Sequence, residues 1–234
     1  MTQSISRRRF LQATGAAGAT GAGAVAADVS LAPAPLKIIG IACSPRKGKT
    51  TTAGLTLCLD AAQAVAPKRL ELVELADLEI PDYLAAGIPL KPGHKDDFPA
   101  VASKLTDPRV AGLIIGTPVY FGSLSALCKA FLDRCVSLRK PKNLLANKVV
   151  GALAVGGSRS GGQELAIQCI HAALFRHEVI IVGDGPPACH TGASLWNNGK
   201  DDISQDEFGK STAVSLGRRV AEVILGRRPP GERV

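Results

Sequence analysis

Four short apolar runs punctuate the chain, at residues 36–41, 111–117, 147–155 and 178–182, and none of them alternates with charge. Such runs fit strands buried on both faces of a parallel sheet. A fifth, RLELVEL at 69–75, alternates charged and apolar residues, which places it at the outer edge of that sheet. Between the runs, apolar residues three and four apart mark helices. One covers 50–65, with Leu55, Leu59 and Ala62 on one face and Pro67 ending it. A short one covers 96–106, and another carries Leu124, Leu127, Phe131, Leu132 and Cys135. The last two cover 163–177 and 204–225. Strand, loop and helix repeated in this order predict a doubly wound α/β domain joined by right-handed crossovers.

Three of the breaks after apolar runs carry chemistry, and in an open parallel sheet such loops gather at the carboxyl edge where ligands bind. The first, 44–51, offers hydroxyls, cations and backbone N–H groups at a helix N-terminus, a combination suited to phosphate. An ordinary βα turn whose Ser and Thr cap the helix is the simpler alternative. The second, 117–125, presents Pro118, Tyr120 and Phe121, an apolar surface suited to a flat ring. The third, GGSRSGG at 156–162, has four glycines in seven residues, so its backbone can approach a planar ligand closely. Together they describe a flat heterocycle with a phosphate tail. By contrast, 76–95 is a long aperiodic loop of the kind that serves a site or an interface.

The first 26 residues change the picture of where the protein works. SRRRFLQ at 6–12 resembles a twin-arginine export signal, followed by an Ala/Gly-rich stretch and a small-x-small cleavage candidate, Ala24-Val25-Ala26. So much glycine argues against a membrane-spanning helix. We expect a signal peptide over 1–26, a linker over 27–35, one folded domain over 36–226 and a tail over 227–234. Export by the twin-arginine machinery, to the periplasm, also hints at a bound prosthetic group. Net charge is +8, but Arg7, Arg8 and Arg9 lie in the signal, aromatics are only 4%, and no stacking platform for nucleic acid is visible. Six cysteines are scattered without a CxxC pair, which excludes a metal-site spacing.

The motifs themselves resemble a known family. SPRKGKTT, TPVYFGSLSALCKAFLDR and VGGSRSGGQE are similar to the three flavin loops of the NAD(P)H-dependent FMN reductase family of flavodoxin-like proteins, close to its iron-sulfur flavoprotein branch. That resemblance implies a three-layer α/β/α sandwich with a five-stranded parallel sheet in the order 2-1-3-4-5. It implies FMN as cofactor, NAD(P)H as a possible donor, and a small-molecule acceptor or redox protein as partner. It also implies that Ser44, Arg46, Thr50 and Thr51 bind the phosphate and that Pro118, Val119, Tyr120, Phe121 and Gly122 line the isoalloxazine. Gly157, Ser158 and Gly161 would close the other edge of the ring. Lys49 stands where the family usually has Gly and adds a charge beside the phosphate. The branch's compact cysteine motif is missing, since 80–97 contains no cysteine, so no iron-sulfur cluster is expected. A homodimer or homotetramer is expected, with the long loop as lid or dimer contact.

A flavin-dependent oxidoreductase is thus the leading reading. Nicotinamide cofactors are scarce outside the cytoplasm, so export points to a quinol or redox protein as an alternative donor. A non-enzymatic electron carrier is a second reading, although flavodoxin carriers tend to be acidic. A P-loop phosphotransferase is a third: CSPRKGKT at 43–50 fits GxxxxGK[ST] apart from Cys43, and 180–184 resembles a Walker B strand ending in Asp184. His171 and His177, six apart, do not share a helix face and read as surface or helix-end residues. Cys189-His190 lacks a third partner for nucleophilic chemistry. Trp196 reads as loop or interface packing, Arg134 as structural and Lys129 as solvated.

Overall fold

A computed structural model describes residues 36–65 and 69–226. The expected signal peptide, the linker and the tail lie outside the described residues. Within them, strand β1 (Lys37–Ala42) leads to helix α1 (Thr50–Val65), β2 (Arg69–Glu74) and α2 (Phe98–Leu105). Then come β3 (Val110–Tyr120), β4 (Ser123–Leu124), α3 (Ala126–Arg134), β5 (Val149–Gly156) and α4 (Gln163–Leu174). Two short strands, β6 (Ile180–Ile181) and β7 (Ala193–Trp196), precede the last helix, α5 (Glu207–Ile224).

The main ladder runs β2-β1-β3-β5-β6, all parallel, with β4 paired to β3 and β7 paired to β5. Counted by position across the sheet this is the expected 2-1-3-4-5. Alternation in β1 shows how both faces are filled. Ile39 and Ile41 join the core under α2, α3 and α4, while Ile38 and Ala42 join the core under α1 and α5. Each fully buried Ile contributes about 1.5–3 kcal/mol. α1 and α5 meet at backbone distance, because a Cβ on Gly217 would lie 1.9 Å from the Cys58 carbonyl oxygen.

Three expectations are corrected. The sheet has seven strand segments, because its fifth position is split between β6 and β7 and β4 pairs antiparallel with β3. Pro186 and Pro187 carry no N–H for a ladder, and the Asp184 carboxylate accepts from the His190 N–H at 2.5 Å, closing 184–190 into an excursion before the chain returns at Ala193. The strand ending at 117 actually runs on to Tyr120 and turns back through β4, with Phe121 at φ 48° and Gly122 at φ 75°. Two successive residues with positive φ make the tight turn that matches strand twist. His171 and His177 are also buried rather than superficial, and burial lowers the pKa of both.

The aperiodic loop after β2 contains one short 3-10 turn, Asp82–Ala86, and is cross-tied by ion pairs. Arg134 donates to both Asp96 oxygens at 2.8 Å and to the Pro81 carbonyl at 3.2 Å, and its guanidinium lies 4.8 Å from the Phe98 ring centre. Glu79 accepts from the Lys95 N–H and bonds His94, while its own N–H donates to the Asp97 carboxylate and its carbonyl accepts from the Asp97 N–H. Arg134 is therefore structural, as its helix-end position implied. Its hydrogen bonds hold the Asp96 carboxyl below the usual range. The bridge's contribution is complete above the unfolded carboxyl's range and is lost as pH falls through the lower folded-state value. Arg134→Met should cost on the order of 2 kcal/mol near pH 7, and the deficit should shrink in acid. Urea unfolding at the two pH values measures both.

Candidate functional site

Loops following β1, β3, β5 and β7 leave the sheet at the same carboxyl edge, as parallel strands require. The first is shaped from inside. The Ser44 hydroxyl accepts from the Arg46 N–H at 3.1 Å, and Glu74 at the end of β2 accepts from the Gly48 N–H at 2.8 Å and the Thr52 hydroxyl at 2.5 Å. The loop then opens into α1, whose first-turn N–H groups have no intrahelical acceptor. Cys43, at the loop's start, is fully buried, and burial together with neighbouring Cys128 pushes its thiol well up. It is no nucleophile at neutral pH.

A three-way tie fixes this loop to the second. The Ser125 hydroxyl donates to the Cys43 carbonyl at 2.7 Å and accepts from the Cys128 N–H at 3.0 Å, capping α3. Thr117 accepts from the Ser125 N–H at 3.0 Å and donates to the Pro118 carbonyl at 2.9 Å. The third loop is folded around Gln163, which is 2% exposed. Its side-chain amide donates to the carbonyls of Ser158 at 2.6 Å and Leu195 at 3.1 Å and accepts from the Gly161 N–H at 2.8 Å. Gly162, at φ 104°, brings this loop onto the hairpin, where a Cβ would lie 2.6 Å from the Gly122 backbone.

Between the loops lies a cavity of about 430 Å³, within the roughly 300–1,000 Å³ range of small-molecule sites. Of the sequence-derived candidates, Arg46, Thr50, Pro118, Val119, Tyr120 and Gly157 line it together. The remainder stand around it. Ser44 shapes the loop, Lys49 reaches Asp201 at 3.5 Å, and Thr51 is buried against the sheet beside Gly116. Phe121 points fully into solvent, Gly122 carries the hairpin turn, and Ser158 and Gly161 are engaged with Gln163.

The fourth wall escaped sequence reasoning. Asn197, Gly199, Lys200 and Asp201, in the loop after β7, line the same cavity. Asp201 lies against the first loop, with its two carboxylate oxygens 2.8 and 2.9 Å from Arg46. The available signal was the polar, glycine-bearing NNGKDD following an alternating SLW, but it was legible only if the fifth strand ended at Trp196 rather than Val182. Asp184, the candidate Walker carboxylate, is buried and engages His190, and burial raises its pKa. Among the described residues no group of His, Cys, Asp and Glu is arranged to hold a metal, and no helix is long and apolar enough to cross a membrane.

Gly162→Ala would place a methyl group into the hairpin backbone at an unfavourable φ. It should destabilise the fold by on the order of 2–3 kcal/mol, read as a lower urea midpoint at unchanged slope.

Comparison with known proteins gives the site its context. An iron-sulfur flavoprotein of Methanocaldococcus jannaschii is 39% identical over 194 residues, covering 81% of this chain and 97% of that protein. An NAD(P)H dehydrogenase (quinone) of Chromohalobacter salexigens is 32% identical over 128 residues, covering 53% of this chain and 60% of the other. A WrbA-like flavodoxin structure from Agrobacterium tumefaciens superposes with a TM-score of 0.53 at 17% identity, covering 83% of this chain and all of that one, and shows the fold to be flavodoxin-like. The family model for NADPH-dependent FMN reductases matches residues 36–193. That span is well over half of the chain and contains all three glycine- and hydroxyl-bearing loops, so this protein belongs to the NADPH-dependent FMN reductase family.

Proposed function

We propose that the protein is an FMN-dependent oxidoreductase that takes electrons from NAD(P)H or another donor and passes them to a quinone, free flavin, nitro compound or protein acceptor. One observation carries this reading: a cationic corner, an apolar wall and a bare glycine edge share one cavity. The corner already holds an anion, since Arg46 and Lys49 both contact the Asp201 carboxylate. A phosphate matches those partners in charge, with the Thr50 hydroxyl and the N-terminus of α1 beside them. Pro118, Val119 and Tyr120 supply the apolar wall. At Gly157 a side chain would meet nothing within 4 Å, so the backbone there is open to a flat ligand. Bound in this cavity, FMN supplies the hydride and electron chemistry. The chain's own part is to hold the phosphate, orient the ring and present backbone dipoles to its polar edge.

The iron-sulfur cluster named in the relatives is not carried over. Residues 80–97 contain no cysteine, and the loop's anchors are Arg134, Asp96, Glu79 and Asp97. Of the described cysteines, Cys43, Cys58, Cys128 and Cys135 are buried. Burial pushes the Cys135 thiol up to about 12. Export to the periplasm by the twin-arginine route belongs to the same proposal and is supported by SRRRFLQ at 6–12. It favours a quinol or redox-protein donor over a nicotinamide.

Protein purified without added cofactor should show the two-banded near-ultraviolet and blue absorbance of oxidised flavin and release FMN on acid treatment. Arg46→Ala should weaken FMN binding by about tenfold or more without weakening riboflavin equally. A colourless protein that takes up no FMN but binds ATP overturns the reading.

We also propose that the chain pairs with itself through the hairpin tip. Phe121 is fully exposed there at 109%, beside Tyr120 at 42%, an exposure that costs apolar hydration unless covered. Phe121→Ser should shift the light-scattering mass toward the monomer, and an unchanged mass would exclude this tip as the contact.

A further inference from the structure

We propose that Asp201 is an internal competitor for the phosphate-binding cations, so that it sets the affinity and the charge selectivity of the site. This rests on the flavin reading above. Asp201 accepts from Arg46 through Oδ2 at 2.9 Å, and Lys49 lies 3.5 Å from the same oxygen. Its Oδ1 is 2.8 Å from Arg46 yet shielded from solvent and without a hydrogen bond. An oxygen buried in that way is only partly compensated for its lost water, which makes the contact one that a better anion can replace.

The backbone around Asp201 is built for such an exchange. Asn198, Gly199 and Asp201 all have positive φ, at 50°, 66° and 59°, and for the two non-glycine residues that conformation is strained. Where the loop leaves β7 it is fixed by the Asn197 N–H, which donates to the Gly156 carbonyl at 3.0 Å. At its other end Asp206, itself buried, accepts from the N–H groups of Trp196 and Gly209 at 2.8 Å. From 198 to 201 the other hydrogen bonds are local: the Gly199 N–H donates to the Asn197 side chain and the Lys200 N–H to the Asn197 carbonyl. The contacts of Asp201 with Arg46 and Lys49 therefore hold the tip of the loop to the body of the domain.

A phosphomonoester carries about −1.5 to −2 charge and three acceptor oxygens against one charge and two oxygens on the carboxylate. It outcompetes Asp201 for the same cations. A neutral flavin alcohol makes no claim on them and leaves the carboxylate in place. Asp201 thus lowers the affinity for every anion that must displace it and leaves that for a neutral flavin alcohol unchanged.

The test is equilibrium titration of the full chain, stripped of flavin, with FMN, riboflavin and inorganic phosphate, comparing wild type with Asp201→Asn and Asp201→Ala. Urea unfolding confirms that each variant folds. Expected is a three- to tenfold gain (about the worth of one or two partly exposed ion pairs) in affinity for FMN and for inorganic phosphate in both variants. Riboflavin affinity should be unchanged, and the gain should shrink at high salt. Weaker or unchanged FMN and phosphate binding in Asp201→Asn overturns the proposal, and a loss would make Asp201 a residue that orients Arg46 instead. If no variant takes up either flavin, the cofactor reading fails, and the phosphate titration alone still decides whether Asp201 competes.

Discussion

The hydroxyl of Ser125 is the point on which the site's geometry turns. It donates to the Cys43 carbonyl just past β1 and caps the helix that follows the hairpin, while the Ser125 backbone N–H ties back to Thr117 on β3. A parallel ladder sets strand spacing but leaves its terminal loops free to diverge. This small network removes that freedom for two of them. Thr117, Ser125 and Cys43 are all buried, so the bonds form away from competing water, and a missing partner would leave a buried polar group unsatisfied at a cost of about 1–3 kcal/mol. The phosphate-suited loop and the apolar hairpin hence keep a fixed spacing before any ligand arrives.

Missing side chains do comparable work on the other side of the site. The third loop reaches the hairpin because Gly162 has no Cβ to meet the Gly122 backbone, and Gly156 leaves room for the Gln163 amide, which would lie 2.5 Å from a methyl group there. Gln163 then satisfies both Ser158 and Gly161 and reaches Leu195 on β7, joining third and fourth walls. The glycines of 156–162 therefore divide their roles. Gly157 and Gly156 line the cavity, Gly156 also making room for Gln163, while Gly161 and Gly162 allow close packing behind it.

This division explains how far the site could be read from sequence. Runs such as LKIIGIA and VVGALAV announce buried strands because both faces are covered, and their order specifies the layers. Loop composition located three of the four walls, since hydroxyls with cations, prolines with aromatics and clustered glycines each have few other uses at a strand's end. The resemblance to the FMN reductases added roles to individual residues. It did not separate those that line the cavity, such as Arg46 and Gly157, from those that shape it, such as Ser44 and Gly161. That distinction depends on where Glu74 and Gln163 point, and both bonds span strands or loops that only the fold brings together. The fourth wall was missed for a different reason: apolar content at 178–182 placed the end of the fifth strand too early, and Pro186-Pro187 concealed its resumption at Ala193.

Charge in the cavity follows from the same topology. Each of the first and fourth loops taken alone has an unbalanced sign, Arg46, Lys47 and Lys49 on one and Asp201 and Asp202 against Lys200 on the other. Bringing β1 and β7 to one edge of the sheet pairs them, with Arg46 and Lys49 both in contact with Asp201. A basic loop without a facing carboxylate would leave Arg46 and Lys49 unpaired at the cavity, whereas here both already contact Asp201. The cation count of the loop, which the sequence displays openly, therefore overstates the unpaired positive charge facing the cavity, because Asp201 across the cavity already engages Arg46 and Lys49.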